Sequence, residues 1–392
     1  MFSRRTNWKL KRNRLTEALD EVRASGASLL DLTVSNPTRV GLHYDTPAIL
    51  SSLASPRAMD YDPQPKGSLD ARQAVADYYR SEHGVRGFDP DQLILTTSTS
   101  EGYSFVFRLL CNPGDELLVP KPSYPLFEFF ADLQDVQLVP YPLIYDHGWQ
   151  IDFPSLEKAV AERTRGVVAV HPNNPTGSYV HAPERESLNS FCREHHLALI
   201  VDEVFMDYGL DRDVDTAGSF ANNHNVLTLT LSGVSKISAL PQMKVAWIAT
   251  TGPRTQAEEA MARLEVIADT YLSMNAPIQW AVPVLMAQRK SIRQQLLSRL
   301  RGNLGELDRQ LAAQKTCQRL RVEGGWYAVL RVPVTQSDEE LAIALVRKKH
   351  VLVHPGHFYD FVSDGYLVLS LITPEKDFMQ GLERALELVQ AH

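Results

Sequence analysis

From about residue 90 the chain alternates short unbroken apolar runs with longer amphipathic stretches. "DQLILTTS" predicts a strand and "SEGYSFVFRLLC" a helix; "DELLVPK" and "YPLFEFFADL" repeat the pair, and "RGVVAVHP", "APERESLNSFCREHH", "LALIVDEV" and "NVLTLTLS" continue it. Val/Leu/Ile runs without polar alternation are what parallel strands covered on both faces require. Strands separated by helices predict an α/β fold with a mostly parallel sheet and helices on both faces. Around residue 255 the pattern changes. A long helical region runs from Thr255 to Gln314 with one interruption near "MNAP", followed by strand "RVEGGWYAVLRV", helix "SDEELAIALVRKK", strands "VLVHPG" and "GYLVLSLI", and helix "EKDFMQGLERALELVQ". The expected division is a large α/β domain over 42–285 and a smaller α+β domain made of 1–41 with 286–392.

Composition narrows the functional classes. A chain of 392 residues with 44% apolar and 22% charged residues is ordinary for a globular enzyme of two domains. Its net charge of −7 offers no basic surface for nucleic acid or an anionic membrane, so small metabolites are the expected partners. Cys111, Cys192 and Cys317 are far apart, with no CxxC spacing, which fits a reducing compartment. The start "MFSRRTNWKLKRNRLTEALDEV" has no apolar core and does not read as a secretory signal, and no apolar run is long enough to span a membrane. A cytoplasmic location is expected.

Ligands of open α/β sheets bind beyond the carboxyl ends of the strands, so the residues that follow each strand carry the chemistry. After "LILT" come Ser98, Thr99 and Ser100 at a helix start; after "GVVAV" comes "HPNNPTG" with Asn174; at the end of "LALIV" stand Asp202 and Glu203; after "VLTLTLSGVS" comes Lys236. Each has a plain structural explanation. Ser/Thr before a helix is usually a cap, Asn-Pro-Thr-Gly is a good turn anywhere, Asp202 could cap a helix and Lys236 could be solvated. Together, at one sheet edge, they describe a receptor for pyridoxal 5'-phosphate. The helix start suits a phosphate, Asp202 a pyridinium nitrogen, Asn174 the ring's phenolic oxygen, and Lys236 a Schiff base with the aldehyde. Tyr124 in "KPSYP" stands where an aromatic face could stack on the ring.

These segments resemble a known family. "YDPQPKGSLDARQAVADYY", "TTSTSEG", "NPGDELLVPKPSYP", "HPNNPTG", "VDEVF", "SKISALPQMKVAWI", "EGGWYAVL" and "VLVHPGHF" occur in the order and spacing of the class I/II aminotransferases of the aspartate aminotransferase superfamily, the fold-type I pyridoxal phosphate enzymes. The resemblance implies that Lys236 is the Schiff-base lysine, Asp202 the pyridine-nitrogen aspartate, Asn174 the ring-oxygen asparagine and Tyr124 the stacking aromatic. It places the phosphate at Ser98, Thr99 and Ser100. It also implies that Tyr61 reaches the cofactor phosphate of a neighbouring subunit, hence a homodimer with sites at its interface.

Four positions depart from the family pattern. Lys244 stands where the family has a phosphate-binding arginine, keeping the charge and losing the planar fork. Phe205 replaces a tyrosine that shares the ring oxygen, which is expected to raise the pKa of the lysine–cofactor linkage. Gly233 replaces a phosphate-binding serine, for which Ser232 or Ser235 could compensate. Val368 occupies the place of the arginine that grips a substrate's α-carboxylate, and Arg39 in "SNPTRVGL" is the candidate replacement. The expected activity is transamination between an amino acid or amine and a keto acid. A carbon–sulfur lyase on the same scaffold and a non-catalytic ligand-sensing domain are the rival readings.

Overall fold

The computed structural model describes residues 1–8, 12–125, 127–272 and 274–391. Its centre is an eight-stranded sheet whose spatial order is Leu93–Thr96, Ala246–Thr251, Thr228–Gly233, Ala198–Asp202, Thr164–Val170, Glu116–Lys121, Gln137–Tyr145 and Trp149–Ile151. The pairings from Thr228–Gly233 through Gln137–Tyr145 are parallel, while Ala246–Thr251 runs antiparallel to both its neighbours and Trp149–Ile151 closes a hairpin. The central strands are buried except at Arg165, which is why their sequences are continuous apolar runs rather than alternating ones.

The strand Gln137–Tyr145 escaped the sequence pattern for a physical reason: it carries Pro140 and Pro142, residues that argue against a strand interior. Both precede Leu143, where the ladder with Trp149–Ile151 begins, and the Pro142 carbonyl accepts the Asp152 N–H at 3.1 Å, a bond that needs no N–H from proline. The helical region 255–314 is interrupted twice, dividing into Arg254–Tyr271, Ala276–Ala287 and Arg289–Ala312. At Gln288 the backbone keeps helical angles (φ −63°, ψ −23°), so the second break is a bend, marked by neither Gly nor Pro.

The second core lies around a four-stranded antiparallel sheet, in the order Gln318–Arg319, Tyr327–Arg331, Tyr366–Ser370, His354–Pro355. "VLVHPG" is not one strand. Val351–Leu352 pairs in parallel with Leu30–Asp31, whereas His354–Pro355 pairs antiparallel with Tyr366–Ser370. Leu15, Ala18, Val22 and Leu32 from the N-terminal segment are buried in the same apolar cluster as Leu296, Leu300, Val329, Leu369, Phe378 and Leu382. Among the described residues no helix is long and apolar enough to cross a membrane.

Candidate active site

Five parallel strands end on one side of the large sheet, and the segments leaving them meet in a cavity of about 450 Å³. Thr99, Ser100, Tyr124, Asn174, Asp202, Ser235 and Lys236 line it, and the small sheet closes it with Tyr327, His354 and Tyr359. Thus the structure brings together six of the residues singled out from sequence: Thr99, Ser100, Tyr124, Asn174, Asp202 and Lys236.

The helix Thr99–Leu110 aims its N-terminus at this cavity. Ser98 is its cap: the hydroxyl accepts the Glu101 N–H at 3.1 Å, and the Glu101 carboxylate takes the Thr97 N–H at 2.6 Å. The Ser98 side chain is therefore engaged in capping, while Thr99 and Ser100 face the cavity. Gly102 lets this helix lie close on the sheet, since a Cβ there would come within 2.9 Å of Leu231.

Asp202 is buried at the end of its strand. Its carboxylate accepts the Val204 N–H at 3.0 Å and the Tyr103 hydroxyl at 3.0 Å. Burial pushes its pKa up to about 6, opposed by those two hydrogen bonds and by the positive charge of Lys236. Tyr103, one helical turn beyond Thr99, is a site residue that sequence reasoning missed, because a tyrosine inside an apolar helix pattern reads as core.

Lys236 sits on the short helix Val234–Ile237, with its backbone carbonyl accepting the Tyr208 hydroxyl at 2.5 Å. Its Nζ lies 4.9 Å from the centre of the Trp326 ring and 5.6 Å from that of Phe205. Desolvation pushes its pKa down to about 8, with Asp202 pulling the other way. An amine held there is largely cationic at neutral pH and readily gives up its proton, the state a nucleophile or proton carrier needs.

Asn174 belongs to a turn whose shape is set next door. Asn173 Oδ1 accepts the Thr176 hydroxyl at 2.9 Å, and Gly177, at φ +71°, packs where a Cβ would lie 2.5 Å from the Gly324 carbonyl. The Gly324 N–H donates to the Gly177 carbonyl at 2.9 Å, tying "NPTG" to "EGGW". His171, beside this turn, is fully buried and held by the Val180 N–H and the Ala217 carbonyl; its pKa is driven by burial to about 3, so it is a neutral structural residue.

Of the other residues singled out from sequence, Ser235 and Phe205 also line the cavity, and the rest lie elsewhere. Lys244 is exposed and does not line the cavity, with left-handed backbone angles (φ 53°, ψ 54°). Tyr61 is 81% exposed and does not line the cavity. Arg39 is exposed in an adjoining groove that shares only Ser35 and His354 with it. Gly233 leaves no room for a side chain, since a Cβ would lie 2.8 Å from the Val245 carbonyl; Ser235 lines the cavity, whereas Ser232 is buried with its hydroxyl directed to the Glu203 carbonyl. Phe205 lines the cavity with no hydroxyl to offer.

A strand-end cavity with a buried carboxylate, a desolvated lysine and a helix N-terminus defines an enzyme that handles a carbonyl cofactor or substrate. The family model "Aminotransferase class I and II" matches residues 27–377, and the chain belongs to that family, whose members generally depend on pyridoxal phosphate. It is an enzyme that transfers amino groups. It is 29% identical over 375 residues to the alanine aminotransferase of Mycobacterium tuberculosis, covering 92% of this chain and 85% of that one. It is 27% identical over 357 residues to the glutamate-pyruvate aminotransferase AlaA of Haemophilus influenzae, covering 88% and 87%. In structure it is similar to the alanine aminotransferase from Pyrococcus furiosus, with a TM-score of 0.89 and 19% identity over the full length of both chains.

Proposed function

We propose that this transaminase works with pyridoxal 5'-phosphate held by Lys236, Asp202, Asn174, Tyr124, Thr99 and Ser100, moving amino groups between small amino acids and keto acids. The observation that carries the reading is the juxtaposition in one cavity of a lysine with a depressed pKa and a buried, ionisable Asp202. The residues fit the cofactor. Asn174 lines the cavity with an amide whose Oδ1 has no hydrogen-bond partner, so the group is uncommitted, and its Nδ2 can donate to a ring oxygen. When bound, the cofactor supplies an aldehyde that captures amines and a ring that draws electrons from the adjacent carbon.

The protein's own part follows from the geometry. The Asp202 carboxylate, oriented by Val204 and Tyr103, would face the ring nitrogen and favour its protonated form. Asn174 would hydrogen-bond the ring's oxygen, and Tyr124 would cover a face of the ring. Thr99 and Ser100, with the N–H groups of their helix, would donate hydrogen bonds to the phosphate. Lys236 would be the amine that binds the aldehyde and the base that moves the proton at the substrate's Cα. The outward position of Tyr61 suits a contact with a second copy, and Lys244 supplies positive charge outside the cavity. A homodimer in the cytoplasm, with domains 42–285 and 1–41 plus 286–392, completes the proposal. The shared core of Leu15, Val22 and Leu32 with the C-terminal region supports that division, and the three free cysteines support a reducing compartment.

The relatives' names make alanine, glutamate and pyruvate the first substrates to test. The purified enzyme loaded with pyridoxal phosphate is expected to form a new amino acid only when both donor and keto acid are present. Ammonia and keto acid released from a sulfur-containing amino acid without any acceptor would replace this reading with a lyase.

A further inference from the structure

We propose that His354, its ring fixed by Tyr359, is the group that holds the substrate's carboxylate; the assignment rests on the transaminase reading above. An amino acid carries an anion into the cavity, and an anion removed from water needs a cation or strong donors beside it. Among the described residues lining the cavity, only Lys236 and His354 can become positively charged. Lys236 is committed to the amine and the proton, which leaves His354.

Strand register shows why the histidine can serve where no arginine stands. His354 is directly opposite Val368, and Val368 opposite Val329, so the three side chains share one face of the small sheet. Tyr327, two residues from Val329, is on the same face. Tyr327 and His354 both line the cavity, so this face is turned toward the substrate. Val368 is fully buried on it and offers nothing to an anion. The neighbouring strand instead brings an imidazole to the same row.

The imidazole is also oriented. His354 Nδ1 lies 3.0 Å from the Tyr359 hydroxyl: in the neutral ring the phenol donates to Nδ1 and the proton sits on Nε2, and in the imidazolium Nδ1–H donates to the phenol oxygen instead, so in both states Nε2–H is free to donate to a carboxylate oxygen. Burial lowers the His354 pKa, and Asp31 partly offsets this. A carboxylate alongside raises it again, so binding near neutral pH brings a proton with it. The other titratable groups facing this part of the cavity are the phenols of Tyr124, Tyr327 and Tyr359, with Asp202 and Lys236 deeper in. Arg39 and Asp377 face the adjoining groove.

The test is calorimetry on the enzyme loaded with pyridoxal phosphate, using propionate and its uncharged amide, propionamide, as probes. The wild type is expected to bind propionate with proton uptake. His354→Gln is expected to weaken propionate roughly tenfold or more, the loss typical of a charge-assisted hydrogen bond, and to leave propionamide unchanged. Unchanged propionate affinity in His354→Gln, loss in Arg39→Gln instead, or a wild type that does not bind propionate overturns the assignment. Should His354→Gln not fold, histidine nitrogen NMR of the wild type decides: one imidazole becoming imidazolium on propionate addition supports it, and no histidine responding refutes it. The transaminase reading fails separately, by absence of amino transfer in the wild type, because neither binding readout depends on turnover.

Discussion

The strand-end side of the cavity and the small-sheet side are fixed by different means. On the strand-end side, Asp202 ends one buried parallel strand and Lys236 follows another, and their polar groups are held by hydrogen bonds: Val204 and Tyr103 on Asp202, Tyr208 on the Lys236 carbonyl. On the small-sheet side, Tyr327, His354 and Tyr359 reach the cavity through antiparallel register and a 3-10 turn, with one hydrogen bond between His354 and Tyr359. The first side positions groups that every substrate needs. The second side carries His354, the group proposed to hold the substrate's carboxylate, and so acts on binding rather than on the reacting bond.

Mutation can break that division. If Asp202 serves every substrate as proposed, Asp202→Asn removes a buried charge needed at each turnover, and kcat is expected to fall roughly 10²–10³-fold for all donors alike, the scale of losing one preorganised electrostatic group. A loss confined to some donors would erase the distinction between the two sides. Tyr103→Phe removes one hydrogen bond from the same carboxylate and is expected to cost roughly tenfold. Its sign is set: the bond lowers the Asp202 pKa, so without it the pKa rises and the acidic limb of the rate profile moves to higher pH.

A smaller effect sharpens the comparison through stability. The folded-state pKa of Lys236 is depressed to about 8 from 10.5, so between those values the unfolded chain binds more protons and stability rises with pH. Below about 8 the cost of burying the charge is present in full; above 10.5 it is gone. Lys236→Met is therefore expected to raise the melting temperature of the cofactor-free protein at pH 7 by roughly 1–2 °C, on the order of 1 kcal/mol for a chain of this size, with the gain shrinking as pH rises through that window. Equal gains at pH 7 and above 10.5 would mean that Lys236 carries no desolvation strain.

The strand-end side was legible in the sequence because continuous apolar runs mark parallel strands and chemistry collects where they end. "SGVSKISALPQMKVAWI" shows both the reach and the edge of that logic. Lys236 and Lys244 have similar neighbours in sequence, yet one enters the cavity and the other is exposed after a 3-10 turn. Periodicity cannot separate them; the strand that precedes Lys236 can. The small-sheet side was less legible. "VLVHPG" reads as one strand, and only its division between two partners at Val353 brings His354 opposite Val368. Tyr103 was hidden for a related reason, since its hydroxyl contact with Asp202 joins residues 99 positions apart that no local pattern connects. Arg39, the candidate cation on sequence grounds, lies in the adjoining groove because the turn Pro37–Arg39 leaves its side chain exposed there.

The central claim is that Lys236 is the amine that holds the carbonyl cofactor. The most direct measurement is borohydride reduction of the enzyme loaded with pyridoxal phosphate, followed by proteolysis and mass spectrometry of every lysine-containing peptide. The account predicts a single stable adduct on Lys236 and none in Lys236→Ala. An adduct on Lys244 or another lysine with Lys236 unmodified would contradict it.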